Sequence, residues 1–248
     1  MRDKDDRRIL SMSQFQRMEM LIGKASTDIV KKSCVAVFGI GGVGSYVCEA
    51  LARAGVGKFL LCDNDVVSES NINRQLIALH STVGKPKTSV MAERIRDINP
   101  NAEIIEMQTF FSAENADEFY FDGFSYIVDC IDTVSSKLEL ISRAKTYDIP
   151  IISCMGTGNK LNPTLFEVTD IFKTTVCPLA RVMRKELKNR GISSLKVLYS
   201  KEIPKARENS IAENGRHIPG SISFVPSSAG LIIAGEVICD ICKIERIN

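Results

Sequence analysis

Histidine is scarce in this 248-residue chain. With only His80 and His217, the side chain that most often moves protons near neutral pH is almost missing. Both sit in polar, loop-like surroundings, in Leu79-His-Ser-Thr and Arg216-His-Ile-Pro, and read as ordinary loop residues. An excess of one charge is also lacking: 32 Lys/Arg against 30 Asp/Glu leave +2, so bulk charge demands no polyanionic partner. Long apolar runs are absent too. Leu231-Ile-Ile-Ala-Gly235 stops at Glu236, short of the roughly 20 residues a membrane helix needs. The charged stretch from Arg2 to Arg8 has no apolar signal segment. No repeat or low-complexity linker appears, so one unit over 1–248 is expected, cytoplasmic and with no membrane partner.

What is present is ordinary in bulk and specific in detail. The 44% hydrophobic and 25% charged residues fit a soluble globular protein. Eight cysteines are scattered, several inside apolar strand-like runs (Cys34, Cys62, Cys130, Cys154), which suits reduced core thiols better than a disulfide framework. Between Arg181 and Arg207, nine Lys/Arg face two Asp/Glu. That segment reads as a solvated helix face or as a phosphate-binding flank for RNA.

Hydrophobic periodicity divides the chain into a helical arm (10–32), a core (33–155) and a mixed α/β extension (156–248). Phe15, Met18, Leu21 and Ile22 mark the arm. Strands are expected at Cys34–Gly39, Lys58–Cys62, Glu103–Met107, Tyr126–Cys130 and Pro150–Cys154. Helices alternate with them, at 43–54, after Pro86 with Val90, Met91, Ile95 and Ile98 inward, and at 134–147. Beyond Gly158, strands at 164–169 and 196–199 flank a helix at 178–190, and a docking helix closes the sequence. Alternation of this kind predicts an α/β fold with a Rossmann-like, doubly wound, mostly parallel sheet.

The first strand runs into Gly39-Ile-Gly41-Gly42-Val-Gly44, a G-x-G-x-x-G turn that lets backbone approach phosphate at a helix N-terminus. Asp63 follows about 20 residues on, where an acid holds a ribose hydroxyl. A hydride-transferring enzyme would then need a proton donor, and the two histidines offer none. Instead Asn71, Asn73, Arg74 and Lys87 form a polar and cationic group just after the ribose acid, and Asp132 ends the fourth strand. Cations with a carboxylate for Mg²⁺ suit adenylyl transfer, in which charge builds on the α-phosphate and the departing pyrophosphate.

These motifs, with Asp63-x-Asp65, Ser70-Asn-x-x-Arg74-Gln75, Gly84-Lys-Pro-Lys87 and Asp129-x-x-Asp132, resemble the ThiF/MoeB/HesA superfamily of ubiquitin-activating-like adenylating enzymes. The resemblance implies ATP as cosubstrate, with the loop of Gly41 on phosphate, Asp63 on ribose, and Asn71, Arg74 and Lys87 on the triphosphate. It implies Mg²⁺ at Asp132, and a homodimer in which Arg17 reaches the partner's site. Ser153-Cys-Met-Gly-Thr-Gly-Asn-Lys160, Pro178-Leu-Ala-Arg-Val-Met-Arg184 and Gly220-Ser-Ile-Ser-Phe-Val-Pro226 are similar to its TcdA-type branch, the tRNA threonylcarbamoyladenosine dehydratases. That branch implies a tRNA substrate modified in the anticodon loop, a monovalent-cation site, and a sulfur-relay or redox protein as a further partner. The rival within the superfamily adenylates the Gly-Gly terminus of a ubiquitin-like sulfur carrier. Such proteins commonly hold zinc with two C-x-x-C pairs, and only Cys239-Asp-Ile-Cys242 is present here. Cys177, before Pro178, departs from the aspartate expected there. It reads either as a helix-capping nucleophile or as a drifted surface position.

Overall fold

The computed structural model describes residues 13–205 and 219–245, together with the backbone at 212–213 and 216–217. Arg2–Arg8, Arg207 and the side chain of His217 lie outside the described residues. Helix α1 (Gln16–Lys32) leads into β1 (Cys34–Phe38), α2 (Gly44–Arg53), β2 (Lys58–Cys62), α3 (Lys87–Ile98) and β3 (Glu103–Met107). Then come β4 (Tyr126–Asp129), α4 (Val134–Thr146), β5 (Ile151–Cys154), β6 (Phe166–Asp170), α5 (Pro178–Asn189) and β7 (Lys196–Ser200). A two-stranded ladder, β8 (Ala212–Glu213) with β9 (Arg216–His217), precedes α6 (Phe224–Cys242).

Seven strands form one sheet in the order β3-β2-β1-β4-β5-β7-β6, parallel except for β6 against β7. The chain winds outward from β1 to β3, then returns to the other side of β1 with β4, so a crevice opens between the β1 and β4 exits. Buried on both faces, β1 reads as a continuous apolar run, Cys-Val-Ala-Val-Phe, rather than an alternating one. Val35 and Val37 face a core shared with α2, α3 and α6, while Ala36 and Phe38 face one shared with α4 and α5.

In α1, Gly23 sits at φ 81°, ψ 158° and bends the helix, and Leu21 is 84% exposed instead of packing inward with Phe15. The Phe15 ring lies against the backbone of Gly55, and Lys31 stands over that ring at 5.7 Å from its centroid. Helix α6 is longer and more apolar than its Leu231–Gly235 run suggested. It is long and apolar enough to cross a membrane by length and composition alone, with a mean hydropathy of 1.6. Here it is a core helix: Ala229, Ile233, Ala234 and Val237 are buried. Its acids are engaged within the fold, Glu236 and Asp240 binding Lys196 at 2.9 and 2.8 Å and Asp240 accepting from the Tyr126 hydroxyl at 2.6 Å. All eight cysteines are free thiols. Burial pushes the Cys62 and Cys154 thiols up to about 12.

Candidate active site

The exits of β1, β2, β3, β4 and β5 converge on an open cleft of about 330 Å³. Gly39, the first residue beyond β1, has φ 89° and lies so close to the β4 exit that a Cβ would stand 2.6 Å from the Cys130 carbonyl oxygen. Only glycine meets both demands. Gly41 and Gly42 line the cleft, and Gly42 rests against Pro226 of α6. Gly44 does not line it: a Cβ there would meet the Gly39 carbonyl oxygen at 1.8 Å, so this glycine packs α2 against the turn.

Asp63 leaves β2 and enters the cleft floor. Its Oδ2 accepts from the Ile40 amide at 2.6 Å and its Oδ1 from the Asp65 amide at 2.9 Å, which ties the glycine turn to the second strand. Burial raises its pKa above the ordinary aspartate range, against the opposing pull of Lys87 and the two amides. Lys87, the first residue of α3, is itself buried and held by Asp65 at 2.6 Å, with Asp63 at 3.9 Å. The Arg74 guanidinium donates to the Ser70 carbonyl and to Asn73 Oδ1, both at 2.9 Å, while lining the cleft. Asn71 is buried in the wall, its Oδ1 accepting from the Ser68 amide. Asp132 stands exposed at the rim beyond β4.

Several residues expected here are engaged elsewhere. Asn73 does not line the cleft; its amide donates to the Ser221 carbonyl at 3.1 Å and so fastens the extension to the core. The Ser70 hydroxyl pairs with that of Ser68. Arg17 is exposed on α1, outside its own chain's cleft. Cys177 does precede α5 as its N-cap, yet it is neither a surface position nor a cleft residue, being 2% exposed among core side chains. His80 lies in an exposed turn.

Other cleft residues carried no assigned role in the sequence. Thr109, Phe110 and Phe111 follow β3, and Thr157 follows β5, all at strand exits where an α/β sheet binds ligands. Ser221 and Pro226 come from the extension, within segments that carry the resemblance to the dehydratases. Beneath the cleft, Asp129, Lys137 and Ser153 are fully buried.

These groups fit a nucleoside triphosphate. Gln75 lines the wall with a buried Oε1 that has no donor, Arg74 and Lys87 supply positive charge, and Asp63 offers an acceptor. Among the described residues no cluster of three or more His, Cys, Asp and Glu could enclose a metal. A divalent ion here would take the Asp132 carboxylate and complete its shell with phosphate oxygens and water, as Mg²⁺ does.

The ThiF family model matches residues 15–248. The chain belongs to the ThiF family. This ThiF-family protein is 44% identical over 243 residues to the tRNA threonylcarbamoyladenosine dehydratase of Bacillus subtilis (strain 168), covering 94% of this chain and 96% of the relative. Escherichia coli TcdA, a tRNA N6-threonylcarbamoyladenosine dehydratase solved with AMP, superposes with a TM-score of 0.85 at 32% identity over 93% of this chain and 94% of that one. The same enzyme solved with ATP gives 0.83 over the same shares. The family match begins within the arm segment and runs on through residues 33–248.

Proposed function

We propose that this protein is an ATP-dependent tRNA threonylcarbamoyladenosine dehydratase. The observation that carries the reading is near full-length similarity to enzymes of that name, at 44% identity in one case. It is joined to a cleft whose donors, acceptor and carboxylate suit ATP. In this reading the carboxylate of the modified adenosine's threonyl group attacks the α-phosphate, and pyrophosphate leaves. The ureido nitrogen of the same nucleoside then attacks the acyl carbon and loses its proton, and AMP departs with one carboxylate oxygen. Both reacting groups belong to one nucleoside, so high effective molarity replaces an enzymic nucleophile. A buried Cys177 is compatible with such a route.

Arg74 and Lys87 neutralise phosphate charge, Lys87 exchanging its Asp65 partner for the nucleotide, and Asp63 holds the ribose. Asp132 would hold Mg²⁺, which would add to the neutralisation of charge on the phosphates. Arg17 acts in the site of a second copy, in a homodimer. On α5, Arg181, Lys185 and Lys188 are exposed and offer tRNA phosphates a basic face. The rest of that basic segment is partly committed to the fold, with Lys196 on Glu236, Arg190 on Glu186, Arg184 on Thr174 and Lys201 on Glu167. A cytoplasmic location, a monovalent cation and a sulfur-relay or redox partner complete the reading.

Incubation with ATP and threonylcarbamoyladenosine-bearing tRNA should yield AMP and a nucleoside lighter by one water. An unchanged nucleoside mass, together with pyrophosphate exchange that needs a small Gly-Gly-terminated protein, would move the assignment to the sulfur-carrier activators.

A further inference from the structure

We propose that Lys137 is a positioning residue for the Mg²⁺–nucleotide site, locking the exits of β4 and β5 together from beneath the cleft. The inference rests on the ATP and Mg²⁺ reading above. Lys137 lies in α4 with no exposed surface. Its ammonium has three N–H donors and three partners: Asp129 Oδ2 at 3.0 Å, and the carbonyl oxygens of Ile131 and Cys154, each at 2.9 Å. Asp129 in turn accepts from the Ser153 hydroxyl at 2.5 Å and from the Ile131 amide at 3.1 Å.

The two carbonyls decide the matter. Balancing the charge of Asp129 would need only the ammonium and the carboxylate. This lysine is also bonded to the residue immediately before Asp132 and to the end of β5, three residues before Thr157. Asp132 and Thr157 both line the cleft, whereas Lys137 does not. Gly39, in the nucleotide turn, rests directly on the Cys130 carbonyl between them. The ammonium therefore sets where the rim carboxylate stands relative to the glycine turn, without touching the ligand. Placement of this kind matters because displacing a phosphate-handling group by about 1 Å costs on the order of 100-fold.

The test is ATP binding by calorimetry, on the full chain, with Mg²⁺ and with EDTA. Replacing both members of the pair, as Asp129→Asn with Lys137→Met, avoids leaving one charge buried alone. The expected result is a folded protein whose Mg²⁺-free ATP affinity stays close to that of the parent, while the gain conferred by Mg²⁺ falls by about tenfold or more. A folded double variant with the parent's full Mg²⁺ gain overturns the proposal. A parent protein that binds no ATP under either condition instead overturns the nucleotide reading beneath it. If the double variant does not fold, hydrogen exchange on the unaltered protein decides. Amides at 131–133 and 155–157 should open together, and independent opening refutes the lock.

Discussion

The Asp63 carboxylate serves two elements at once, accepting from Ile40 in the glycine turn and from Asp65 in the next loop. Burial raises its pKa, so it takes up a proton at higher pH than an ordinary aspartate. The unfolded chain releases that proton first. Between the two pKa values the folded state therefore holds more protons, and Asp63's contribution to stability falls as pH rises through that window. Acid should thus protect the fold at this residue while weakening its hold on a ribose. ATP affinity, titrated from neutral pH downward, should decline before stability does, and Asp63→Asn should flatten that decline. The cations beside it make a sharper prediction. Arg74→Ala or Lys87→Ala should slow pyrophosphate release by at least about 100-fold with the circular dichroism spectrum unchanged. Normal release in either variant would remove the phosphate-binding role.

At the scale of elements, α6 against α2 is the contact on which the nucleotide turn rests. A Cβ at Gly230 would lie 2.5 Å from the Val43 carbonyl oxygen and 2.8 Å from the Tyr46 Cβ, so the two helices touch nearly backbone to backbone. Gly230→Ala should destabilise the protein by about 1–3 kcal/mol, read as a lower urea midpoint. It should also weaken ATP binding, because Val43 is the N-cap of α2. A variant with the parent's midpoint and ATP affinity would show that α6 yields without cost.

The elements of the core were legible because their signals are local: an apolar run, a Pro before α3, a G-x-G-x-x-G turn. The β2 and β3 boundaries, Lys58–Cys62 and Glu103–Met107, coincide with expectation. What escaped is long-range. That Asn73 reaches Ser221, that Lys137 reaches the carbonyl of Cys154, and that Phe110 faces the same space as Asp132 depend on how strands order in the sheet. Spacing along the chain does not encode that order. Local spacing also misled at Leu21, which is turned roughly 100° around the helix from Ile22 and so falls off the face that half-buries Met18 and Ile22.

At the scale of the molecule, one chain supplies the cleft and, in the proposed homodimer, the partner supplies Arg17. Mixing Arg17→Ala with Lys87→Ala protein should restore part of the activity that each lacks, since one site of a mixed dimer holds both intact residues. No recovery after subunit exchange would return Arg17 to an ordinary role on the surface of α1.

Pro226 and Gly230 also give the molecule a timetable. The glycine turn is synthesised early, but its support, the Pro226 contact on Gly42 and the Gly230 contact on Val43, comes from α6 near the far end of the described chain. A nascent polypeptide on the ribosome possesses the phosphate loop long before it possesses the helix that steadies it. ATP recognition should therefore mature late, after most of the protein has emerged. Chains cut short before residue 224 should be inert toward nucleotide rather than partly active.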